Sequence, residues 1–269
     1  FINTNSFENY YSGISLTLKS LAKKFMVKNK KIKNTVNIIG YSPLTFGKIE
    51  KLEELFSLIK SLDLNILTVF SDNLSLEKIK NSTLAELNLV LSYEGLALAK
   101  YMEKEFSIPY VIINVVLKYG IENTENILKR FFYKIDNSFE KLEKKDKLDD
   151  RKVMIIASPF MAINIADSLR KDFSFANILA LSFIKESRKF KKIEYLEFLN
   201  IVNTEDDLKE KIKEYKPDIL ISDPVYKNLI NDGVTFIPLL HYGYSTRLYL
   251  ELDYEYCGKK AYEYFKKFI

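Results

Sequence analysis

Cysteine is nearly absent from the 269-residue sequence, in which Cys257 is the only one. A disulfide framework is therefore excluded, and so is a metal site built from several cysteines of this chain. Tryptophan is absent as well, and no uninterrupted apolar run approaches the roughly 18 residues that a membrane-spanning helix requires. These absences argue against a disulfide-rich secreted protein and against an integral membrane protein.

Glycine is also scarce, with eight residues in the chain. Neither GxGxxG nor GxxxxGK[ST] occurs, so the two common glycine-rich phosphate-binding loops are missing. The GxSxG turn of serine hydrolases and the CxxC motif are missing too. An ordinary dinucleotide-dependent enzyme is therefore not expected, and no local signature supports a Ser-His-Asp triad.

Neither sign of charge dominates, since 41 basic and 36 acidic residues leave a formal net charge of +5. Lysines alternate with glutamates and aspartates, which is typical of solvated helix faces, and we interpret the lysine-rich stretch 19–33 in the same way. We expect no nucleic-acid partner and no membrane partner. The first residues lack the basic and apolar regions of a signal peptide, so the expected compartment is cytoplasmic. We also expect residues to precede Phe1 in the natural protein.

Short apolar runs rich in β-branched residues alternate with amphipathic stretches, which predicts βαβ units and parallel sheets. The charge-rich segment Lys141–Lys152 interrupts this rhythm, which then restarts. We therefore predict an α/β protein with two Rossmann-like, doubly wound parallel-sheet domains that face a central cleft. The first domain is expected over residues 1–147, with an N-terminal helix. The second is expected over residues 148–269, with a C-terminal helix that begins near Leu250 and contains Cys257 as a buried apolar residue.

Ligands of doubly wound sheets bind outside the carboxyl ends of the strands. Side chains that follow predicted strands are therefore the candidate binding residues: Ser42, Ser92, Tyr93, Ser158, Asp223 and His241. An imidazole such as His241 could bind a metal ion or transfer a proton there, and the alternative is a structural histidine at a turn. Ser158 and Asp223 each precede a proline, so both could instead be helix caps. Tyr244 is a further candidate because it follows His241 so closely.

Seven short segments resemble the nitrogenase component-1-type oxidoreductase family, and their order and spacing carry the resemblance. They are Val36–Gly40 (VNIIG), Asn88–Tyr93 (NLVLSY), Ser107–Tyr110 (SIPY), Tyr119–Ile121 with Thr124, Lys216–Leu220 (KPDIL), Ile237–Pro238 with His241, and Tyr256–Gly258 (YCG). Ser107 stands where the family usually has glycine.

This resemblance implies a second component-1-type subunit as partner and electron delivery from a reductase iron protein. In the family's catalytic subunits one cysteine and one histidine hold the active-site metallocluster. The local match places Ser92, or Leu91 if the gap is set differently, at the cysteine position and His241 at the histidine position. Serine is a poor ligand for soft metals. The resemblance is therefore compatible with a large organic substrate or an assembled cofactor at least as well as with a fixed cluster. An iron–sulfur cluster or metallocofactor of the intact complex is expected to use cysteines that precede Phe1.

Our first hypothesis is a nitrogenase-like oxidoreductase subunit of anaerobic metabolism, inactive as this segment alone. It binds a metallocofactor or a tetrapyrrole-like substrate, with His241 as metal ligand or proton donor. The remaining candidates bind the substrate or cofactor, and Ser158 with its helix N-terminus holds an anionic group. Two alternatives stay open: a metal-chelate or small-molecule binding module, and a non-catalytic scaffold for cofactor assembly.

Overall fold

The computed structural model describes residues 10–135, 148–184, 198–243, 245–252 and 255–269. The chain divides into two compact units, which are described separately. The first unit comprises Phe1–Asn114 and Phe131–Lys134, and the second comprises Val115–Arg130 and Ile135–Ile269. The predicted domain boundary falls at the end of the interval 136–147, which lies outside the described residues.

The described part of the first unit contains a four-stranded parallel sheet with the spatial order β2-β1-β3-β4. Its strands are β1 (Thr35–Ile39), β2 (Asn65–Val69), β3 (Leu87–Val90) and β4 (Tyr110–Ile112). Both β1 and β3 are buried along their whole length, as expected for the central strands of a sheet that is covered on both faces. The chain winds from β1 outward to β2, and then in the other direction through β3 to β4.

The helices of the first unit are α1 (Tyr10–Phe25), α2 (Pro43–Phe46), α3 (Glu53–Ser61), α4 (Leu76–Asn81) and α5 (Tyr93–Phe106), with 3₁₀ turns at Ile49–Leu52 and Ser82–Leu84. Helix α1 buries Tyr11, Ser15, Leu18 and Ala22, a spacing that places them on one face, and α1 packs against α5. Helix α5 ends at Ser107, which has a left-handed φ of 53°. That conformation favours glycine, which explains why glycine is usual at this position.

The second unit contains, in its described part, a five-stranded parallel sheet with the order β7-β6-β5-β8-β9. Its elements are α6 (Leu117–Tyr133), β5 (Asp149–Ile156), α7 (Pro159–Phe173), β6 (Phe175–Ser182), β7 (Leu199–Ile201), α8 (Glu205–Tyr215), β8 (Ile219–Ser222), β9 (Thr235–Pro238), α9 (Thr246–Tyr249) and α10 (Gly258–Phe265), with 3₁₀ turns at Pro224–Leu229 and Leu250–Leu252. The start of α6 is held in this unit, since Ser168 Oγ donates to Val116 O at 2.7 Å and Tyr119 N to Asp172 Oδ2 at 3.1 Å.

A buried apolar cluster on one face of this second sheet joins Met154, Ile156, Leu181, Val202, Leu208 and Leu220. Met154 and Ile156 share that face because side chains alternate along a strand. Leu208 comes from α8, whose N-cap is Thr204: its Oγ1 accepts a hydrogen bond from Asp207 N at 3.1 Å.

The two parallel-sheet units confirm the predicted fold class. Two local predictions were wrong. The helical spacing of Ile49, Leu52, Leu55, Phe56 and Ile59 predicts one helix over residues 47–62, but the structure has a 3₁₀ turn followed by α3 there. The C-terminal helix predicted from about Leu250 is instead a 3₁₀ turn and the later helix α10, and Cys257 is the N-cap of α10, where it forms a β-bridge with Val116. The cysteine is buried, as expected. Among the described residues, no helix combines the length and the apolar character needed to cross a bilayer.

Candidate functional site

Each sheet has one point at which the winding direction reverses, and ligands of such sheets bind at the carboxyl ends of the strands beside it. This point lies between β1 and β3 in the first unit and between β5 and β8 in the second. We call the residues that follow these strands the first edge (residues 40–42 and 91–95) and the second edge (157–158, 223, 239–243 and 245). All predicted site residues except Tyr244, which lies outside the described residues, belong to one of these edges.

Asp223 organises the second edge through three hydrogen bonds. Its Oδ1 accepts from Val225 N at 3.0 Å and from Ser245 Oγ at 2.5 Å, and its Oδ2 accepts from His241 N at 2.9 Å. The first of these bonds is the helix cap that the Asp-Pro sequence suggested. The other two fix the loop after β9, and with it His241, to the end of β8. The carboxylate thus brings two predicted site residues together.

His241 is held in one tautomer by its own loop. Its Nδ1 accepts a hydrogen bond from Gly243 N at 3.2 Å, so the neutral ring carries its hydrogen on Nε2. Burial lowers the pKa of the imidazole from its ordinary value, although the nearby Asp223 carboxylate partly opposes that shift. The ring is therefore neutral at pH 7 and presents Nε2–H as a hydrogen-bond donor. A metal ion at Nε2 would need the other tautomer, with Nδ1 as the donor.

The residues near His241 and Ser158 complete the second edge. Ser245 is fully buried, and its amide donates to His241 O at 2.9 Å, which closes one helical turn. Ser245 was not predicted from the sequence, where its only signal was its position four residues after His241. Ser158 is the N-cap of the 15-residue helix α7, but its side chain makes no capping hydrogen bond. The start of α7 therefore retains amide groups that can bind an anion.

A close backbone contact shapes the first edge. Ser92 Oγ donates to Gly40 O at 2.5 Å, which joins the ends of β1 and β3. A Cβ atom on Gly95 would lie 2.7 Å from Gly40 N and 2.8 Å from Ile39 C. Only glycine allows the start of α5 to approach the end of β1 this closely.

Most other side chains of the first edge are buried and have structural partners. Ser42 Oγ accepts from Leu44 N at 3.3 Å and caps α2. Tyr41 donates its hydroxyl to Gly47 O at 2.8 Å, and its pKa is raised to about 12, mainly by burial and further by Asp72 and Glu50. Tyr93 is the first residue of α5 and is 6% exposed.

Glu94 was not selected from the sequence, although it follows two candidate residues directly. Its side chain is fully buried at the start of α5. Thr45 Oγ1 donates to Glu94 Oε1 at 2.8 Å, and the Tyr10 hydroxyl lies 3.2 Å from the same Thr45 oxygen. Because glutamate usually lies on the solvated face of a helix, no sequence pattern distinguished this one.

The donor set of the described residues does not fit a metallocluster held by this chain. No three His, Cys, Asp or Glu side chains of the described ranges come together as a metal site would require. Ser92 uses its hydroxyl hydrogen on Gly40 O and is no soft-metal ligand. Cys257 is committed to the buried start of α10. We therefore derive no chemical step through a cluster bound here.

Comparison with known sequences gives one family. Residues 1–255 match the sequence model of the family described as nitrogenase component 1 type oxidoreductase, which confirms the resemblance seen in the seven segments. One subunit of light-independent protochlorophyllide reductase from Crocosphaera subtropica is 27% identical over 234 residues, which cover 78% of this chain and 42% of that protein. The corresponding protein of Porphyra purpurea is 35% identical over 129 residues, which cover 48% of this chain and 25% of that protein. The chain spans less than half the length of these relatives.

Solved structures agree on the fold. A structure of nitrogenase Cp1 at pH 6.5 matches with a TM-score of 0.68 and 14% identity, covering 96% of this chain and 64% of that chain. A structure of nitrogenase Cp1 at pH 5 matches with a TM-score of 0.65 and 16% identity, covering 96% of this chain and 60% of that one.

Proposed function

The chain belongs to the nitrogenase component 1 type oxidoreductase family, and on that premise we propose that it forms part of a subunit that reduces a bound ligand. Electrons come from a reductase iron protein, and a second component-1-type subunit completes the complex. The family membership and the protochlorophyllide reductase relatives support this assignment. The chain is not active by itself in this proposal, because it spans only part of its relatives.

The ligand we propose is a large organic substrate of the tetrapyrrole class. Two observations support this choice over a metallocluster held by this chain. The relatives are named for protochlorophyllide reduction, and the described donor set lacks a group of soft-metal ligands. A metallocofactor of the intact complex would take its ligands from other residues of that complex.

The observation that carries the proposal is the orientation of His241. With Nδ1 occupied by Gly243 N, the ring offers Nε2–H to an acceptor atom of the ligand, such as a carbonyl oxygen. Asp223 acts through the loop, because it holds the His241 amide and Ser245. A neutral imidazole is a good hydrogen-bond donor but a very weak acid. We therefore assign His241 to ligand binding and polarisation rather than to metal ligation.

Further binding residues follow from the two edges. The start of α7 at Ser158 suits a carboxylate group of the ligand, since the amide dipoles of a helix N-terminus favour an anion. In the first edge we propose that Ser42, Ser92 and Tyr93 contact the ligand. Tyr244, which follows His241 by three residues, is proposed as a further contact.

Binding of protochlorophyllide, followed by fluorescence, tests the ligand class and the His241 assignment. The full-length protein should bind it, and His241→Phe should weaken the affinity roughly ten-fold, as the loss of one shielded hydrogen bond predicts. His241→Gln, which keeps an N–H donor, should recover part of that loss. Asp232→Asn, an exposed change on the turn before β9, is the control. Equal affinity of wild type and His241→Phe would contradict the role of His241.

Iron and acid-labile sulfide, measured on the full-length protein purified without oxygen together with its partners, test the redox assignment. Iron in cluster stoichiometry, with a visible absorption that dithionite bleaches, would support a reductase-fed enzyme. An iron-free, colourless protein without partners would reject that assignment. It would leave the small-molecule binding module and the assembly scaffold as the alternatives.

A further inference from the structure

The Glu94 carboxyl group has an environment that the proposed ligand-binding role does not explain. Its side chain has no solvent exposure, and among the described residues no atom completes a well-aligned hydrogen bond to Oε2. The other oxygen, Oε1, receives the Thr45 hydroxyl at 2.8 Å. An ionised carboxylate with one unsatisfied oxygen is strongly disfavoured away from water. A protonated carboxyl in the same place has a hydrogen to donate from Oε2.

The surroundings of Glu94 agree with an uncharged acid. Burial raises its pKa above the ordinary value, while hydrogen bonding by Ser92, by its own backbone and by Thr45 acts in the opposite direction. No charged side chain of the described residues contributes to the shift. The titratable neighbours are tyrosines: Tyr10 from α1, which reaches Thr45, and Tyr41 in the first edge, whose own pKa of about 12 keeps it neutral.

Hydroxyl groups lie on both sides of this carboxyl group. On one side Thr45 donates to Oε1, so the Tyr10 hydroxyl, 3.2 Å from Thr45 Oγ1, is left to donate to Thr45. On the other side Ser92 lies within reach of the Glu94 carboxyl group and gives its own hydrogen to Gly40 O, so its oxygen can turn to accept the hydrogen of a protonated Oε2. With Glu94 protonated, each group donates a hydrogen bond to the next one: Tyr10 to Thr45, Thr45 to Glu94, Glu94 to Ser92, and Ser92 to Gly40. Tyr10 is the one side chain of the first four that is partly exposed.

We propose that Glu94 is a proton-relaying residue, which passes protons from Tyr10 and Thr45 to Ser92 and on to a ligand bound at the first edge. The step moves protons only. The Ser92 hydroxyl turns from Gly40 O to a basic atom of the ligand and gives up its proton, and Glu94 Oε2 replaces it. Glu94 Oε1 then takes the proton of Thr45, which is restored from Tyr10 and finally from water. The ligand as acceptor rests on the proposed function, whereas the relay itself is a property of this chain.

Infrared spectroscopy of the ligand-free protein tests whether Glu94 holds a proton. At neutral pH the protein should show the carbonyl stretch of an un-ionised carboxyl group, which shifts in D₂O. Glu94→Gln should remove that band. Glu86→Gln, a change of a partly exposed glutamate in the same unit, should leave it in place. Absence of the band in wild type at neutral pH would overturn the proposal.

The rate at which that band shifts after rapid dilution into D₂O tests whether protons reach Glu94 through Thr45. Thr45→Val removes the hydroxyl without changing the shape of the side chain, and we expect it to slow the exchange roughly ten-fold, the effect of losing one hydrogen bond to a carboxyl group. Thr68→Val, the same change at another buried threonine of this unit, should leave the rate unchanged. An unchanged rate in Thr45→Val would overturn the relay even if Glu94 is protonated.

These infrared measurements need neither ligand nor reductase, so their outcome is separate from that of the proposed function. If protochlorophyllide does not bind but exchange depends on Thr45, the ligand assignment fails and the relay stands. If it binds but exchange does not depend on Thr45, the relay fails alone.

Discussion

Replacement of Asp223 should destabilise the second unit more than the loss of a single hydrogen bond would, because three donors depend on its carboxylate. Asp223→Ala removes the cap at Val225 N, worth about 1 kcal/mol. It also leaves the buried Ser245 hydroxyl and the His241 amide without their acceptor, at about 1–3 kcal/mol for each unsatisfied donor. We expect a total loss of roughly 3–7 kcal/mol in the free energy of unfolding.

Two further variants separate the contributions. Asp223→Asn keeps one oxygen acceptor but points an amide N–H toward one of the donors, so it should cost about 1–3 kcal/mol. Ser245→Ala removes a single hydrogen bond and should cost about 1 kcal/mol. The assay is urea unfolding followed by the NMR signal of His241, which reports on the second unit alone because the chain has one histidine. Asp232→Ala, at an exposed aspartate, is the control. A cost for Asp223→Ala no larger than that for Ser245→Ala would refute the reasoning.

Three other predictions concern side chains whose environments are unusual. Gly95→Ala places a methyl group against the backbone of Gly40 and should lower the free energy of unfolding in urea by about 1–3 kcal/mol or more. Gly13→Ala, whose added methyl group has nothing within 4 Å, should instead stabilise α1 by about 0.5–1 kcal/mol. Similar effects of the two variants would contradict the close approach of Gly95 to Gly40. Glu94→Gln should become more stable relative to wild type as pH rises above about 4.3. Because burial raises the pKa of Glu94 in the folded state, the unfolded wild-type chain loses this proton first, and its ionisation favours unfolding. A pH-independent difference in unfolding free energy between the two proteins would count against the buried acid. His241 should titrate below its ordinary pKa of 6.5 and show ¹⁵N shifts of the Nε2–H tautomer, and its contribution to stability should fall as pH drops from 6.5 toward the folded-state value; an Nδ1–H signal would contradict the assignment.

The strand pattern was readable from the sequence because the central strands are buried on both faces. The runs at Val153 and Ile219 are continuous and apolar, those at Val36 and Leu87 are interrupted by a single asparagine, and each is found in a strand. Their order, with short apolar runs separated by helix-length segments, leaves parallel sheets as the main solution. Helix boundaries were harder. Local turn chemistry decides where helices begin and end. Ser42, for example, caps α2, a helix that is too short to show an apolar periodicity.

Only part of the candidate site could be predicted from the sequence, for a related reason. The rule that ligands bind at the carboxyl ends of strands selected Ser92, Asp223 and His241 from position alone, but it contains no information about hydrogen-bond partners. The partners Thr45 and Ser245 lie in or beside short helical segments whose sequences look like ordinary turns. Glu94 was passed over because burial of a glutamate depends on which helix covers it, and the packing of α1 on α5 is a tertiary contact.

The two edges, each within its own unit, differ in the chemistry of their side chains. At the second edge, His241 is a neutral imidazole that can donate a hydrogen bond from Nε2 but cannot readily release that proton. At the first edge, Ser92 links to Gly40, with the buried Glu94 side chain beside it. A neutral carboxylic acid is a far stronger proton donor than a neutral imidazole. In the proposed function, reduction of an organic ligand requires protons as well as electrons, and the proposed relay through Thr45, Glu94 and Ser92 supplies the protons.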